Sequence, residues 1–119
     1  MPNVAVIGAS NDRAKYGNKA VRAYLRQGWT VYPVNLQETT IEGLPAFAHL
    51  EDIPAPLDRV ALYVPAAVGI GLLPAIARRR GVALFVNPGA ESDELLAEAD
   101  RLALDPIQAC AIVDIGERP

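Results

Sequence analysis

The residues best suited to chemistry lie in one stretch of the 119-residue chain, Gly8-Ala9-Ser10-Asn11-Asp12-Arg13-Ala14-Lys15-Tyr16-Gly17-Asn18. It follows the apolar run Val4-Ala5-Val6-Ile7 and leads into a helical pattern. Small residues let backbone come close to a pyrophosphate, and the unpaired N–H groups of a helix start carry partial positive charge. Ser10 adds a hydroxyl, Arg13 and Lys15 add mobile cations, and Tyr16 adds a flat ring for stacking or packing. Such a loop is built for an anion. The plainer alternative is a strand-to-helix turn in which Gly8 relieves backbone strain and the cations are solvated.

The loop is not a dinucleotide fingerprint. G-x-G-x-x-G is absent, since Gly8-x-Ser10 is followed by a glycine only at Gly17, and the acidic residue expected after the second strand is replaced by Asn35. Asn35 can hydrogen-bond a sugar or base, or can be an exposed turn residue. No G-x-x-x-x-G-K-[ST] occurs, so nucleotide triphosphate hydrolysis has no support.

Other reactive residues read as structural. Cys110 sits in an apolar stretch, where a thiol behaves as a small hydrophobe, with a redox or thioester role as the alternative. His49, the one histidine, lies in an irregular connection. No cysteine-only metal site is possible, and no metal ligands are assigned. Arg78-Arg79-Arg80 reads as a solvated helix end whose charge suits the negative helix terminus, with a site for an anionic partner as the alternative, and Asp93, Glu94, Glu98 and Asp100 read as a solvated helix face.

These residues must be held by elements that the apolar pattern predicts. Buried strands are expected at 4–7, 30–34, 58–64, 82–86 and 107–113, from short apolar β-branched runs. Helices are expected at 18–27, 66–80 and 91–104, with a short one around 47–51. Pro74 suggests that the second long helix starts near Ile70, where a proline is tolerated. Strands alternating with helices imply an α/β domain with a Rossmann-like open parallel five-stranded sheet, helices on both faces, and strand order 3-2-1-4-5. The ligand is then expected beyond the strand ends, between the first and fourth strands. One domain spans residues 1–119.

Composition agrees with an ordinary soluble globular domain: 51% hydrophobic, 21% charged, net charge −3. It excludes disordered, collagen-like and disulfide-scaffold classes. The acidic balance argues against nucleic-acid and anionic-membrane binding. No signal segment or bilayer-length apolar run is visible, and a single cysteine fits a cytoplasmic setting.

The chain resembles a family of small CoA-binding proteins with a stand-alone Rossmann-like domain, similar to the nucleotide-binding domain of the succinyl-CoA synthetase α subunit. The likeness rests on the order and spacing of Val4-Ala5-Val6-Ile7-Gly8-Ala9-Ser10, Lys15-Tyr16-Gly17, Tyr32-Pro33-Val34-Asn35, Gly43, Tyr63-Val64-Pro65, Asn87-Pro88-Gly89-Ala90, and Cys110 with Asp114. It departs from the family where Gln-x-Gly often follows the fourth strand and where Cys is followed four residues on by Glu. The resemblance implies that Gly8, Ala9, Ser10, Lys15, Tyr16 and Gly17 hold the pyrophosphate of coenzyme A or an acyl-CoA. It also implies that Asn35 lies by the adenosine, Val64 and Pro65 line the other side, and Asn87, Pro88 and Gly89 face the pantetheine arm. In the synthetase relatives the phosphorylated histidine belongs to a separate domain, so ligase activity would need a partner that supplies it. The expected function is binding of a small-molecule nucleotide by an accessory or regulatory module. The alternatives are an NAD(P)- or other nucleotide-dependent enzyme domain, or an interaction domain that has lost its ligand. Whether catalysis occurs, and whether the protein forms a homo-oligomer or has a protein partner, are open at this point.

Overall fold

The computed structural model describes residues 2–119. Its central sheet is parallel throughout. β1 (Asn3–Ile7) pairs on one side with β2 (Thr30–Val34) and on the other with β5 (Arg59–Leu62), followed by β6 (Ala83–Val86) and β7 (Ile107–Gln108). Register is fixed by apolar partners such as Val4 opposite Val31 and Val60 opposite Leu84. Because side chains alternate along a strand, both faces are buried. Ala5, Ile7, Val60, Leu62, Leu84 and Val86 pack under α2 (Ala66–Ala77) and α3 (Asp93–Arg101). Val4, Val6, Ala61 and Phe85 pack under α1 (Tyr16–Arg26) and the short α4 (Ala111–Asp114).

The fold class is as the sequence implies, but the strand order is not. The third predicted strand, β5, lies beside the first, so the order in those terms is 2-1-3-4-5 and not 3-2-1-4-5. The point where the order reverses therefore lies between the first and third strands, not between the first and fourth. The connection from β2 explains this. Its apolar residues Leu50, Ile53 and Leu57 need cover, and they find it on the α2 face, opposite α1. A right-handed crossover on that opposite face must travel back over β1. Arrival beside β1 is then clamped. Asn3 N donates to Asp58 Oδ2 at 2.7 Å, Asn3 Nδ2 to the Pro56 carbonyl at 2.7 Å, and Asp58 N to the Asn3 carbonyl at 2.9 Å.

The same connection holds a small hairpin, β3 (Thr40–Ile41) and β4 (Leu44–Pro45), turning through Glu42 and Gly43. Both turn residues have positive φ, 50° and 77°, as a two-residue type I′ turn requires. The short helix expected at 47–51 is a 3₁₀ turn at Leu50–Asp52. Arg79, read from sequence as solvated, instead donates to the carbonyls of Leu50, Ile53 and Ala55 at 2.7–2.9 Å and staples this connection to the end of α2.

Two further points are settled by packing. α2 starts at Ala66, as the apolar pattern gives, and not near Ile70; it therefore runs through Pro74, which is exposed. Proline has no N–H for the Ile70 carbonyl, and on the solvent side water can supply that donor. The predicted strand 107–113 keeps only Ile107–Gln108. Its remainder turns into α4 so that Ala111 and Ile112 can bury against α1.

Candidate functional site

At the carboxyl ends of β1, β5 and β6 lies a cleft of about 500 Å³. Its floor is the loop after β1. Gly8 has φ +92°, and a Cβ on it would stand 2.9 Å from the Tyr63 carbonyl group. A Cβ on Gly17 would run into the Gly8 carbonyl oxygen. The start of α1 is thus pressed directly onto the β1 turn, which only two glycines permit.

The loop between them is braced from several sides. Asn18, fully buried, donates through Nδ2 to the Ser10 carbonyl at 2.8 Å and to Glu42 Oε2 at 3.1 Å. Asn35 Nδ2 donates to the Ala9 carbonyl at 2.9 Å, and Asn11 Nδ2 to the Thr40 carbonyl at 2.9 Å. Ser10 Oγ accepts from Asp12 N, and Asp12 Oδ1 from Ala14 N, each at 3.0 Å. The asparagines therefore occupy loop carbonyls and leave the donors. Among the described residues, the N–H groups of Ala9, Ser10, Tyr16 and Gly17 have no protein acceptor. Unpaired N–H groups on residues that line the cleft, at the start of an eleven-residue helix, are the donors that an anion requires.

Lys15 caps the approach to α1 and lines the cleft. Tyr16 is 56% exposed, with Lys19 Nζ 4.9 Å from its ring centroid. The opposite wall is Tyr63, Val64 and Pro65, with Pro88, Gly89 and Ala90 closing the far end. Every site residue expected from sequence lines this one cleft except Asn87. The Asn87 side chain is buried and faces the fold: Nδ2 donates to the Leu62 carbonyl at 3.0 Å, and Oδ1 accepts from Ala111 N at 2.8 Å. Arg13 is also turned aside, its guanidinium 3.7 Å from Glu42.

Sequence reasoning missed several residues here. Tyr63 places its hydroxyl in the interior with no hydrogen-bond partner among the described residues. Burial, reinforced by Cys110 and Tyr24, pushes this phenol far above its ordinary range, so it stays neutral. A second hollow of about 340 Å³ opens beyond Asn35 and shares Gly8, Asn35 and Val64 with the cleft. It is mainly apolar, walled by Ile7, Val34, Leu36, Val68 and Leu72, with His49 and Glu51 at its margin. Leu36 and Val68 are exposed at its mouth, which the sequence did not signal, since its helical spacing put Val68 toward the sheet. No cluster of three or more metal-ligating side chains occurs among the described residues.

A parallel sheet with helices on both faces and a loop-lined cleft at its reversal point define a Rossmann-like α/β domain. A family model described as CoA binding domain matches residues 2–116, and the chain belongs to that family. It is 42% identical over 65 residues to the alpha subunit of acetate–CoA ligase (ADP-forming) II of Pyrococcus furiosus. That match covers 52% of this chain and 14% of the ligase subunit, so the likeness concerns a small part of the larger protein. Among solved structures, a conserved hypothetical protein from Pyrococcus furiosus superposes with a TM-score of 0.88 at 30% identity, over 96% of this chain and 99% of that one. The dinucleotide-forming acetyl-coenzyme A synthetase 1 of Ca. Korarchaeum cryptofilum, solved with phosphate and ADP, gives 0.76 at 26% identity, over 90% of this chain and 25% of its own. No helix among the described residues is long and apolar enough to cross a membrane.

Proposed function

We propose that the protein binds coenzyme A or an acyl-CoA, as an accessory or regulatory module without a catalytic set of its own. The observation that carries this reading is the cleft floored by the unpaired N–H groups of the Gly8–Gly17 loop. The pyrophosphate rests on Ala9, Ser10 and Gly17, with Lys15 supplying the countercharge. The adenosine passes Asn35 into the apolar hollow, and the pantetheine arm runs along Val64 and Pro65 toward Pro88 and Gly89. Membership of the CoA binding domain family supports this ligand class. A nicotinamide dinucleotide is disfavoured at Asn35, whose Oδ1 already accepts from Gln37 N and Glu38 N at 2.8 and 2.9 Å.

Thermal unfolding with CoA, acetyl-CoA, NAD, NADP and ATP tests the proposal. A ligand at 100 times its Kd adds about 2.7 kcal/mol, which for a domain of this size is roughly ten degrees. A shift with CoA or acetyl-CoA that Lys15→Ala removes is the expected result. A shift with NAD alone would transfer the site to a dehydrogenase-like enzyme. No shift with any of the five would leave an interaction domain that has lost its ligand.

A further inference from the structure

The outer face of α1 carries a second concentration of positive charge, away from the cleft. Lys19, Arg22 and Arg26 stand three and four residues apart, hence on one helix face. With Arg118 and Pro119 of the C-terminal tail they line a polar hollow of about 190 Å³. In a chain of net charge −3, four cations around one hollow, of which only Arg26 is paired with a carboxylate among the described residues, need a physical reason.

Arg22 is fixed by neutral acceptors. Its Nε donates to Asn18 Oδ1 at 2.7 Å and its Nη2 to the Arg13 carbonyl at 2.9 Å. A guanidinium has five N–H donors, so most of its donors remain available in a preset orientation. Arg26 pairs with Glu117 at 2.8 Å, and Gln27 Nε2 donates to the other Glu117 oxygen at 2.6 Å. That double grip pins the tail and holds Arg118 at the rim. Among the described residues, no carboxylate lies within ion-pair distance of Lys19, Arg22 or Arg118.

The geometry points to this hollow as a binding site for a compact phosphoryl polyanion, lined by residues other than those of the nucleotide cleft. Arginine forks take phosphoryl oxygens two at a time, and Lys19 adds a point charge. Residues 19 to 26 span about 10 Å of helix, room for more than one linked phosphoryl group. A compact ligand fits better than a nucleic acid or an acidic protein face, because the charge does not continue as a stripe. Arg13 is turned to Glu42, and Lys15 lines the cleft.

The test is titration of the full chain with inorganic tripolyphosphate, followed by amide chemical shifts and calorimetry. Perturbations at residues 19, 22, 26 and 118 are expected. Affinity should fall at least tenfold in an Arg22→Gln/Arg118→Gln double variant and severalfold in Arg118→Gln alone, with Arg80→Gln as an unaffected control. Arg118→Gln decides the matter if the double variant fails to fold. Shifts confined to residues 8–17, unchanged affinity in Arg118→Gln, or equal affinity for sulfate would overturn the site. An oligonucleotide or acidic peptide binding more tightly through the same residues would overturn the ligand class.

Discussion

Gly17 and Arg79 show how much a single side chain can decide in this domain. A methyl at Gly17 collides with a backbone oxygen that cannot yield without moving β1. Gly17→Ala is therefore expected to cost about 3 kcal/mol, read as a lower denaturant midpoint with unchanged slope. Arg79→Met leaves three carbonyls without their donor, and charged hydrogen bonds of this kind carry roughly 2 kcal/mol. Arg80→Met, next along and exposed, should stay within about 0.5 kcal/mol, so paired urea titrations separate the two. Neither Arg79 nor Asn87 could be read correctly from sequence. Three adjacent arginines look alike until the connection that one of them staples is folded beneath it, and an asparagine at a strand end gives no sign of which way its amide turns. The placement of Gly8, Lys15 and Gly17 at one cleft was readable because a strand end and a helix start fix their surroundings locally.

At the scale of elements, the interior strands were plain in the sequence and the last one was not. A run such as Ile107 to Val113 is apolar enough for a strand, yet its second half is apolar in order to cover α1, and Asn87 draws Ala111 N out of line. Asn87→Ala removes that acceptor, so the amides of α4 should exchange faster with solvent while those of β1 are little changed. Helix boundaries shifted by a few residues for the usual reason, that caps form in three dimensions. The C-terminal tail makes a pH prediction. Hydrogen bonds from Gln27 and then Arg26 hold the Glu117 carboxyl below its ordinary range. A depressed folded value means that the anchorage is present above the ordinary carboxylate pKa and is lost as pH falls through the lower folded one. Amide shifts of Gly116 and Arg118 should therefore change in acid, below the usual glutamate titration, and Glu117→Gln should abolish that step.

For the molecule as a whole, the sheet's strand order could not be read from the sequence, because it depends on which face covers Leu50, Ile53 and Leu57. Periodicity locates strands, but the direction of a crossover is settled by packing between distant segments. The single tryptophan offers a check on cooperativity. Trp29 lies edge-on to Tyr24 with ring centroids 4.9 Å apart and has the Arg59 guanidinium 5.0 Å away, on the face opposite α2 and α3. Its fluorescence and the far-UV circular dichroism should therefore trace one coincident unfolding curve; separate midpoints would mean that the two faces melt independently.

Both margins of the sheet are blunted. β2 carries Pro33 and is overlaid by Phe47, whose N–H donates to the Pro33 carbonyl at 2.9 Å while the Phe47 carbonyl accepts from Asn35 N at 2.9 Å. β7 is two residues long. A sheet closed off in this way offers little template for strand addition or fibril growth. When such a domain is joined to others, the joint must be made through helix faces and loop ends, so neighbouring domains can be exchanged without disturbing the sheet's hydrogen bonds.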